Sequence, residues 1–257
     1  MNQKKDYIAV FDSGVGGISV LKHLLSQMPG ERFLYFGDSA NAPYGSRSPE
    51  EVQSLTLQGA EHLISRGIKA LVVACNTAAA ATLDLLRKTY PDLIIVGIEP
   101  AIHPAALSYP KGTVGVLATE VTLQGEKFRH LSDLHRQACT IVKLPAPGLA
   151  DLVEAGKANS PEAESLLRPI LTPWIGKLDA LVLGCTHYPF VTAAIRRILG
   201  SNVELFDGGD GTARQARRRL SDAGLLAEGK GELVWENSLG TPEIFALCEN
   251  LLNSQHD

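Results

Sequence analysis

The sequence predicts an α/β fold of two pseudo-symmetric domains, each with a mainly parallel sheet, and three observations support this prediction. Short apolar runs typical of strands alternate with helical patterns along all 257 residues, an order that favours parallel sheets with right-handed crossovers. Several of these runs are continuously apolar, as expected of strands that are covered on both faces. One strand-and-turn pattern also occurs twice, with its two cysteines 110 residues apart.

Each element has its own signal in the sequence. Strands are predicted, in chain order, over residues 8–11, 32–36, 70–74, 93–98, 113–118, 140–144, 178–183, 203–206 and 232–235. A glycine-rich turn follows the first strand and opens a helix at Ile18. Ser48-Pro-Glu-Glu51 reads as a capping box with proline at the first helical position, and Thr241-Pro-Glu243 repeats the device before the last helix.

The repeat sets the predicted domain boundaries. Residues 69–77 and 178–187 share one design, in which a buried strand leads through a small residue to a cysteine and then to polar residues that open a helix. The chain crosses between the two units near 97–100 and 206–209. We therefore expect a first domain of residues 1–98 plus 208–257, with the C-terminal segment returning to it, and a second domain of residues 99–207.

Composition and charge exclude several classes of protein. The formal net charge is −4, so no global basic field attracts nucleic acid. No apolar run approaches the roughly 18 residues of a membrane span, and no leader-like apolar segment follows Met1, so we expect a cytoplasmic protein. The four cysteines lack C-x-x-C spacing, which argues against zinc and disulfide frameworks.

The repeated cysteines, Cys75 and Cys185, are candidates for acid–base chemistry. A residue at the carboxyl end of a parallel strand faces the crevice where such sheets bind ligands, and a following helix N-terminus lowers the pKa of a thiol. Two such thiols on opposite sides of one ligand suit the inversion of a stereocentre, which needs a base on one face and an acid on the other. Spacing alone leaves open that both are buried residues that end strands. Cys139 and Cys248 lie in apolar patterns and are predicted to be core residues.

Polar neighbours of these strands are further candidates. Asp12 and Ser13 begin the glycine-rich turn, where Ser13 and backbone N–H groups could hold a carboxylate. His187 could exchange a proton with Cys185, although a surface or capping histidine is the alternative. The loop 38–45 fits either a pocket wall or a turn, and the arginines of 214–219 indicate a solvated helix face.

Four motifs together resemble the glutamate racemases of the cofactor-independent Asp/Glu racemase superfamily, over nearly the whole chain. They are the segments Phe11–Gly17, Ala42–Gly45, Ala74–Thr77 and Gly184–His187. The resemblance implies two pseudo-symmetric domains with the active site in the cleft between them. It also implies Cys75 and Cys185 as the paired acid–base residues, with Cys75 acting on the proton of the D-enantiomer.

The resemblance assigns further roles. It places Asp12 beside Cys75, and His187 with an acidic residue, best matched by Glu154, beside Cys185. The substrate contacts that it implies are Asp12, Ser13, Tyr44, Gly45, Asn76, Thr77, Thr119, Thr186 and His187. One position departs from the family pattern, since Gly125 stands where the family has a serine.

The function implied by the resemblance is the interconversion of L- and D-glutamate without pyridoxal phosphate, another cofactor or a metal. D-Glutamate serves peptidoglycan synthesis, and hence cell wall biogenesis and cell shape. The expected partner is the small-molecule substrate, with no nucleic acid or membrane, and family members differ in oligomeric state, which allows a homodimer. The alternatives are a related aspartate or hydantoin racemase, or a non-catalytic two-domain protein that binds amino acids; a metal or redox protein is disfavoured.

Overall fold

The computed structural model describes residues 6–254 and contains two parallel sheets. Residues 1–5 and 255–257 of the predicted first domain lie outside the described residues. The first sheet has the order β4-β3-β1-β2-β9 and the second the order β6-β5-β7-β8. The strands are β1 (Tyr7–Asp12), β2 (Arg32–Gly37), β3 (Ile68–Val73), β4 (Ile94–Gly97), β5 (Thr113–Ala118), β6 (Thr140–Pro145), β7 (Ala180–Leu183), β8 (Glu204–Asp207) and β9 (Glu232–Asn237). The predicted α/β class is confirmed, and each strand lies within two residues of its predicted bounds.

The helices cover the sheets on both faces. They are α1 (Ile18–Gln27), α2 (Pro49–Ser65), α3 (Asn76–Thr89), α4 (Ile102–Ser108), α5 (Glu120–Gln124), α6 (Glu126–His135), α7 (Leu149–Glu154), α8 (Pro161–Leu171), α9 (Thr192–Leu199), α10 (Gly209–Asp222) and α11 (Pro242–Asn253). The predicted capping box of α2 is confirmed, with both reciprocal bonds between Ser48 and Glu51 present. Thr241 also caps α11, and its side chain accepts a hydrogen bond from Ile244 N–H. A full capping box needs a glutamate or glutamine at position 244. The predicted repeat of the capping box is therefore wrong, because isoleucine stands there.

The two sheets repeat one topology. Strands β1 to β4 are arranged in the order 4-3-1-2, and strands β5 to β8 in the equivalent order 8-7-5-6. Every strand pair among the described residues is parallel. The residues that follow β3 and β7 therefore occupy equivalent places at the carboxyl edges of the two sheets. The predicted pseudo-symmetry is confirmed at the level of strand order.

The last part of the described chain contacts the first sheet. Strand β9 pairs with β2 along its whole length, and α10 and α11 pack on α1. One apolar cluster joins residues of both sheets and contains Cys248, while Cys139 lies in a second cluster against β5 and β7. The core prediction for these two cysteines is confirmed. Within the described residues, no helix is long and apolar enough to cross a membrane.

One local prediction is half wrong. An α-helix does begin directly after Cys75, where Ala79 N–H donates to the Cys75 carbonyl. After Cys185 the chain instead forms a 3₁₀ turn over Tyr188–Val191, and the next α-helix begins only at Thr192. The physical reason is Pro189, which stands four residues after Cys185 and has no N–H to donate. Tyr188 N–H bonds the Cys185 carbonyl instead, at 3.0 Å.

Candidate active site

Both repeated thiols are buried where the two sheets face each other. Cys75 is 6% exposed and Cys185 is 9% exposed. Cys75 caps α3, and its Sγ atom accepts a hydrogen bond from Ala78 N–H at 3.4 Å. The charge of Cys185 acts on the pKa of Cys75, so the two thiols share one electrostatic environment. Strands β3 and β7 thus bring to one place two thiols that are far apart in sequence.

The surroundings of Cys75 hold its proton on the sulfur. Burial and the negative charge of Asp12 raise the pKa of the Cys75 thiol to about 12. Hydrogen bonds from the Ser13 side chain and from Ala78 N–H act in the opposite direction, as does a helix N-terminus, but burial outweighs them. The expectation that the helix brings this pKa toward neutrality is therefore wrong.

Cys185 has a different neighbour, because the 3₁₀ turn places His187 beside it. The Nδ1 atom of His187 lies 3.6 Å from Cys185 Sγ, and its Nε2 atom lies 2.6 Å from Oε1 of Glu154. Burial alone lowers the pKa of His187, but its hydrogen bonds to Cys185 and Glu154 outweigh burial and raise that pKa well above its ordinary value. His187 is therefore placed to carry a proton beside the Cys185 sulfur.

Glu154 joins this group to the glycine-rich turn of the first sheet. It is the last residue of α7, and its Oε1 atom also accepts a hydrogen bond from Val15 N–H at 2.7 Å. A Cβ atom on Gly14 would lie 1.8 Å from that same oxygen, and one on Gly16 would lie 2.4 Å from His187 Nδ1. The glycines of the turn therefore allow its backbone to approach these two side chains.

Asp12 makes a second bond between the two halves. It is fully buried, and its carboxylate accepts hydrogen bonds from Thr186 Oγ1 at 3.1 Å and from Gly14 N–H at 3.0 Å. Burial raises the pKa of Asp12, and the charge of His187 lowers it in part. Asp12 therefore lies between the surroundings of Cys75 and those of Cys185.

The remaining predicted contacts lie around the same cleft. Tyr44 is buried and donates to Asp38 at 2.7 Å, which favours the pocket-wall interpretation of the loop 38–45 over a plain turn. A Cβ atom on Gly45 would lie 2.7 Å from the Thr119 side chain. Thr77 Oγ1 lies 3.4 Å from Thr119 Oγ1, so this wall also joins the first sheet to the second.

Asn76 carries an unused acceptor within the site. Its side chain is buried, and its Oδ1 atom has no hydrogen-bond partner. A buried amide oxygen without a donor is costly, which makes this atom, beside Cys75, a candidate acceptor for a donor on a ligand. Within residues 6–254, no group of three or more His, Cys, Asp or Glu side chains could hold a metal ion.

Sequence reasoning missed two contributors. Ser39 Oγ lies 3.3 Å from Glu154 Oε2, and Val15 contributes only its backbone N–H. Neither residue stands in a pattern that identifies it, because a single serine after a strand and one residue of a glycine-rich turn are common. Glu154, which resemblance alone indicated, does lie beside His187 as expected.

Comparisons with known proteins find racemases as the relatives of this chain. A model of the Asp/Glu/hydantoin racemase family matches residues 13–216. A glutamate racemase of Clostridium perfringens is 44% identical over 248 residues, covering 95% of each chain. The crystal structure of a glutamate racemase isoform from Bacillus anthracis has a TM-score of 0.84 at 34% identity, over 98% of this chain and 96% of that one. The Escherichia coli glutamate racemase, in complex with L-glutamate and the activator UDP-MurNAc-ala, has a TM-score of 0.84 at 29% identity, over 96% and 95% of the two chains.

Proposed function

This chain belongs to the Asp/Glu/hydantoin racemase family, and from that premise we propose that it is a glutamate racemase, an isomerase that interconverts L- and D-glutamate. The observation that carries the proposal is that Cys75 and Cys185 follow equivalent strands and are both buried in one apolar cluster that joins residues of the two sheets. Two thiols that approach a ligand from opposite sides meet the requirement of inversion, which is one proton acceptor and one proton donor on opposite faces.

We propose a two-base mechanism. The Cys75 thiolate removes the α-proton from one enantiomer, and the Cys185 thiol delivers its own proton to the opposite face of the same carbon. The C–H bond on one face breaks first and leaves a carbanion-like state, and the C–H bond on the other face then forms, so that Cys75 ends as thiol and Cys185 as thiolate. The reverse reaction exchanges these roles. Before another turnover in the same direction, Cys75 releases its proton to solvent and His187 returns one to Cys185 through Nδ1, which faces the sulfur. His187 then regains a proton from solvent.

The ionisation of Cys75 needs help, since burial and the Asp12 charge hold its proton. The α-ammonium of an amino-acid substrate supplies a positive charge, and an adjacent positive charge lowers the pKa of a thiol. The unpartnered Oδ1 atom of Asn76 is an acceptor suited to that ammonium. Substrate binding and thiolate formation at Cys75 therefore support each other.

The substrate carboxylates need donors, and the cleft offers several. The proposed substrate contacts are Asp12, Ser13, Tyr44, Gly45, Asn76, Thr77, Thr119, Thr186 and His187. The proposed catalytic group is Cys75, Cys185, Asp12, His187 and Glu154. Donors aimed at charge that develops on the α-carboxylate stabilise the carbanion-like transition state, each by about 3–4 kcal/mol where such donors have been removed.

The wider setting follows from the same family membership. We propose that the enzyme acts in the cytoplasm and supplies D-glutamate for peptidoglycan, and that residues 1–98 plus 208–257 and residues 99–207 are its two domains. We also propose a homodimer as its assembly, which sedimentation of the purified protein tests. The reaction as derived uses only side chains of this chain, so activity that required added pyridoxal phosphate would contradict it.

The decisive experiment follows the α-proton of L- and D-glutamate in deuterium oxide by NMR, with circular dichroism to record racemisation. The wild type should exchange and racemise both enantiomers. Cys75→Ala and Cys185→Ala should each lose racemisation by about 10²- to 10⁴-fold or more, while the core variant Cys139→Ala should keep it.

Each alternative gives a different result in the same assay. A racemase of aspartate or of a hydantoin would turn over that compound in place of glutamate. A non-catalytic amino-acid-binding protein would bind glutamate without any exchange of the α-proton. Full racemisation by either of the two catalytic-cysteine variants would overturn the two-thiol assignment.

A further inference from the structure

A line of hydrogen bonds runs from the edge of the first sheet to Cys185. Asn237, the last residue of β9, donates from Nδ2 to Ser39 Oγ at 2.9 Å. Ser39 donates to Glu154 Oε2 at 3.3 Å, and Glu154 Oε1 holds His187 Nε2 at 2.6 Å. His187 Nδ1 faces Cys185. Asn237 and Ser39 belong to the first sheet and its loops. Glu154, His187 and Cys185 belong to the part of the chain that contains the second sheet.

The donors and acceptors that each side chain possesses determine the direction of each hydrogen bond in this line. The Oδ1 atom of Asn237 accepts Leu239 N–H at 2.9 Å, so the amide must present its N–H₂ group to Ser39. A hydroxyl has a single proton. Because Ser39 Oγ accepts from Asn237, that proton is free to point at Glu154 Oε2.

The consequence reaches the reacting sulfur through the orientation of the His187 imidazole. A carboxylate oxygen accepts, so Nε2 of His187 must carry a proton. Nδ1 is then the atom that exchanges a proton with Cys185. Val15 N–H holds Oε1 of Glu154 and Ser39 holds Oε2, so loss of the Ser39 bond would loosen the carboxylate plane and with it the orientation of the imidazole.

We propose that Ser39 and Asn237 are positioning residues for proton transfer at Cys185, and that they act by fixing the Glu154 carboxylate and, through it, the orientation of the His187 imidazole. This inference rests on the proposed function. It gives the two thiols different support, since Cys75 is held by Ser13 and Ala78 N–H and by no member of this line.

The sharpest variant is Asn237→Asp. It keeps the shape of the side chain and an oxygen for Leu239 N–H, but it replaces the Nδ2 donor with a second acceptor. The Ser39 proton is then drawn toward residue 237 and away from Glu154. Ser39→Ala removes the hydroxyl outright, and Ser39→Thr retains it and should restore the wild-type behaviour.

The matched control is Ser238→Ala. Ser238 is the neighbour of Asn237, and its Oγ atom accepts Ala40 N–H at 2.9 Å, beside Ser39. This variant weakens the same contact between β9 and the loop after β2 without touching Glu154. A merely structural role for the contact would make Ser238→Ala and Ser39→Ala behave alike.

The experiment measures the primary isotope effect with α-deuterated L- and D-glutamate in each direction. A slower step at Cys185 raises the isotope effect for the enantiomer that Cys185 deprotonates and lowers it for the other. We expect Ser39→Ala and Asn237→Asp to reduce kcat by about three- to tenfold, the loss of one net hydrogen bond. Both should shift the isotope-effect ratio in the same sense as Cys185→Ser and opposite to Cys75→Ser, while Ser238→Ala leaves the ratio unchanged.

An unchanged ratio in Ser39→Ala, or an equal shift in Ser238→Ala, would overturn the inference while leaving the glutamate racemase proposal intact. A wild type that does not racemise glutamate would overturn the proposed function instead. A second readout needs no turnover, because the ¹⁵N and ¹H shifts of labelled histidine report the strength of the hydrogen bond at Nε2. The His187 signal, assigned with His187→Gln, should show the same strong Nε2–H bond to Glu154 in the wild type and in Ser238→Ala, and a weaker one in Asn237→Asp and Ser39→Ala. An Nε2–H signal unchanged in those last two variants would contradict the inference.

Discussion

The imidazole of His187 and the carboxylate of Glu154 form a buried pair whose Nε2 and Oε1 atoms are 2.6 Å apart. The bonds to Cys185 and Glu154 raise the pKa of His187 despite its burial. A group whose pKa is raised on folding contributes stability that is complete below its unfolded pKa, about 6.5 for histidine, and is lost as the pH rises through the folded value. The pair therefore links the stability of the protein to pH.

Glu154→Gln tests this linkage. The variant removes the carboxylate charge, so the pKa of His187 should fall, and the gain in stability on lowering the pH from 9 toward 6 should shrink. We expect a loss of about 1.5–3 kcal/mol on the acid side, the range for hydrogen bonds to charged groups. Denaturant unfolding at a series of pH values measures it. Curves for wild type and variant that stay parallel across this pH range would contradict the prediction.

Gly16→Ala should test whether activity depends on the close approach of the glycine-rich turn to His187 and Thr186, apart from the general effect of replacing a glycine. A Cβ atom at this position would lie 2.4 Å from His187 Nδ1 and 2.6 Å from Thr186 Oγ1, so the two halves must shift apart. A displacement near 1 Å at a reacting group costs about 10²-fold, and we expect kcat to fall by about 10- to 100-fold. Gly211→Ala is the matched control, because its Cβ meets nothing within 4 Å on α10. It should keep full activity and gain about 0.5–1 kcal/mol of stability.

Gly125→Ser should stabilise the protein without changing its activity. Gly125 is the N-cap of α6 and supplies no side-chain cap, and its backbone is ordinary extended chain with φ −65°. A Cβ atom there meets only carbonyl oxygens at 3.4 Å, so a serine fits and can accept from the first turn. The expected gain is a few tenths of a kcal/mol, measured by denaturant unfolding. A serine that instead raised kcat would show that this position takes part in catalysis.

The thiol of Cys248 should make stability fall in alkali. Burial and, to a smaller extent, the charge of Glu154 raise the pKa of Cys248 to about 12 from 9.0. The unfolded chain therefore ionises first, so stability that is complete below pH 9 is lost as the pH rises toward 12. In Cys248→Ala the melting temperature should decline less steeply between pH 8 and 11, although it starts lower because a buried atom is removed. Equal slopes would show that this thiol does not contribute.

The strands were predictable because their continuously apolar sequences match the burial that the fold imposes on them. Runs such as 71–74 and 180–183 are continuously apolar, and the structure covers them on both faces. The equivalence of Cys75 and Cys185 was equally readable from the repeat. What the repeat could not convey is the effect of Pro189, which changes the turn after one thiol and brings His187 to it.

The polar links across the cleft were beyond prediction from one sequence. Asn237 and Ser39 lie 198 positions apart and belong to no periodic pattern, since hydrogen bonds between loops leave no trace in hydropathy. The pKa of Cys75 also resisted prediction, because the helix N-terminus is visible in the sequence whereas the degree of burial is not. Burial proved the larger influence.

The position of β9 in the first sheet has a consequence for synthesis on the ribosome. Strands β5 to β8 pair only with one another, so the second half has all its strands once Asp207 has emerged. The outer edge of β2, by contrast, waits for Glu232–Asn237, and an unpaired strand edge invites association with other chains. During translation the nascent chain therefore has all four strands of the second sheet while the outer edge of β2 is still unpaired. Pairing of β9 with β2 also brings Asn237 to Ser39. The same step therefore protects the β2 edge from aggregation and completes the line of hydrogen bonds to Cys185.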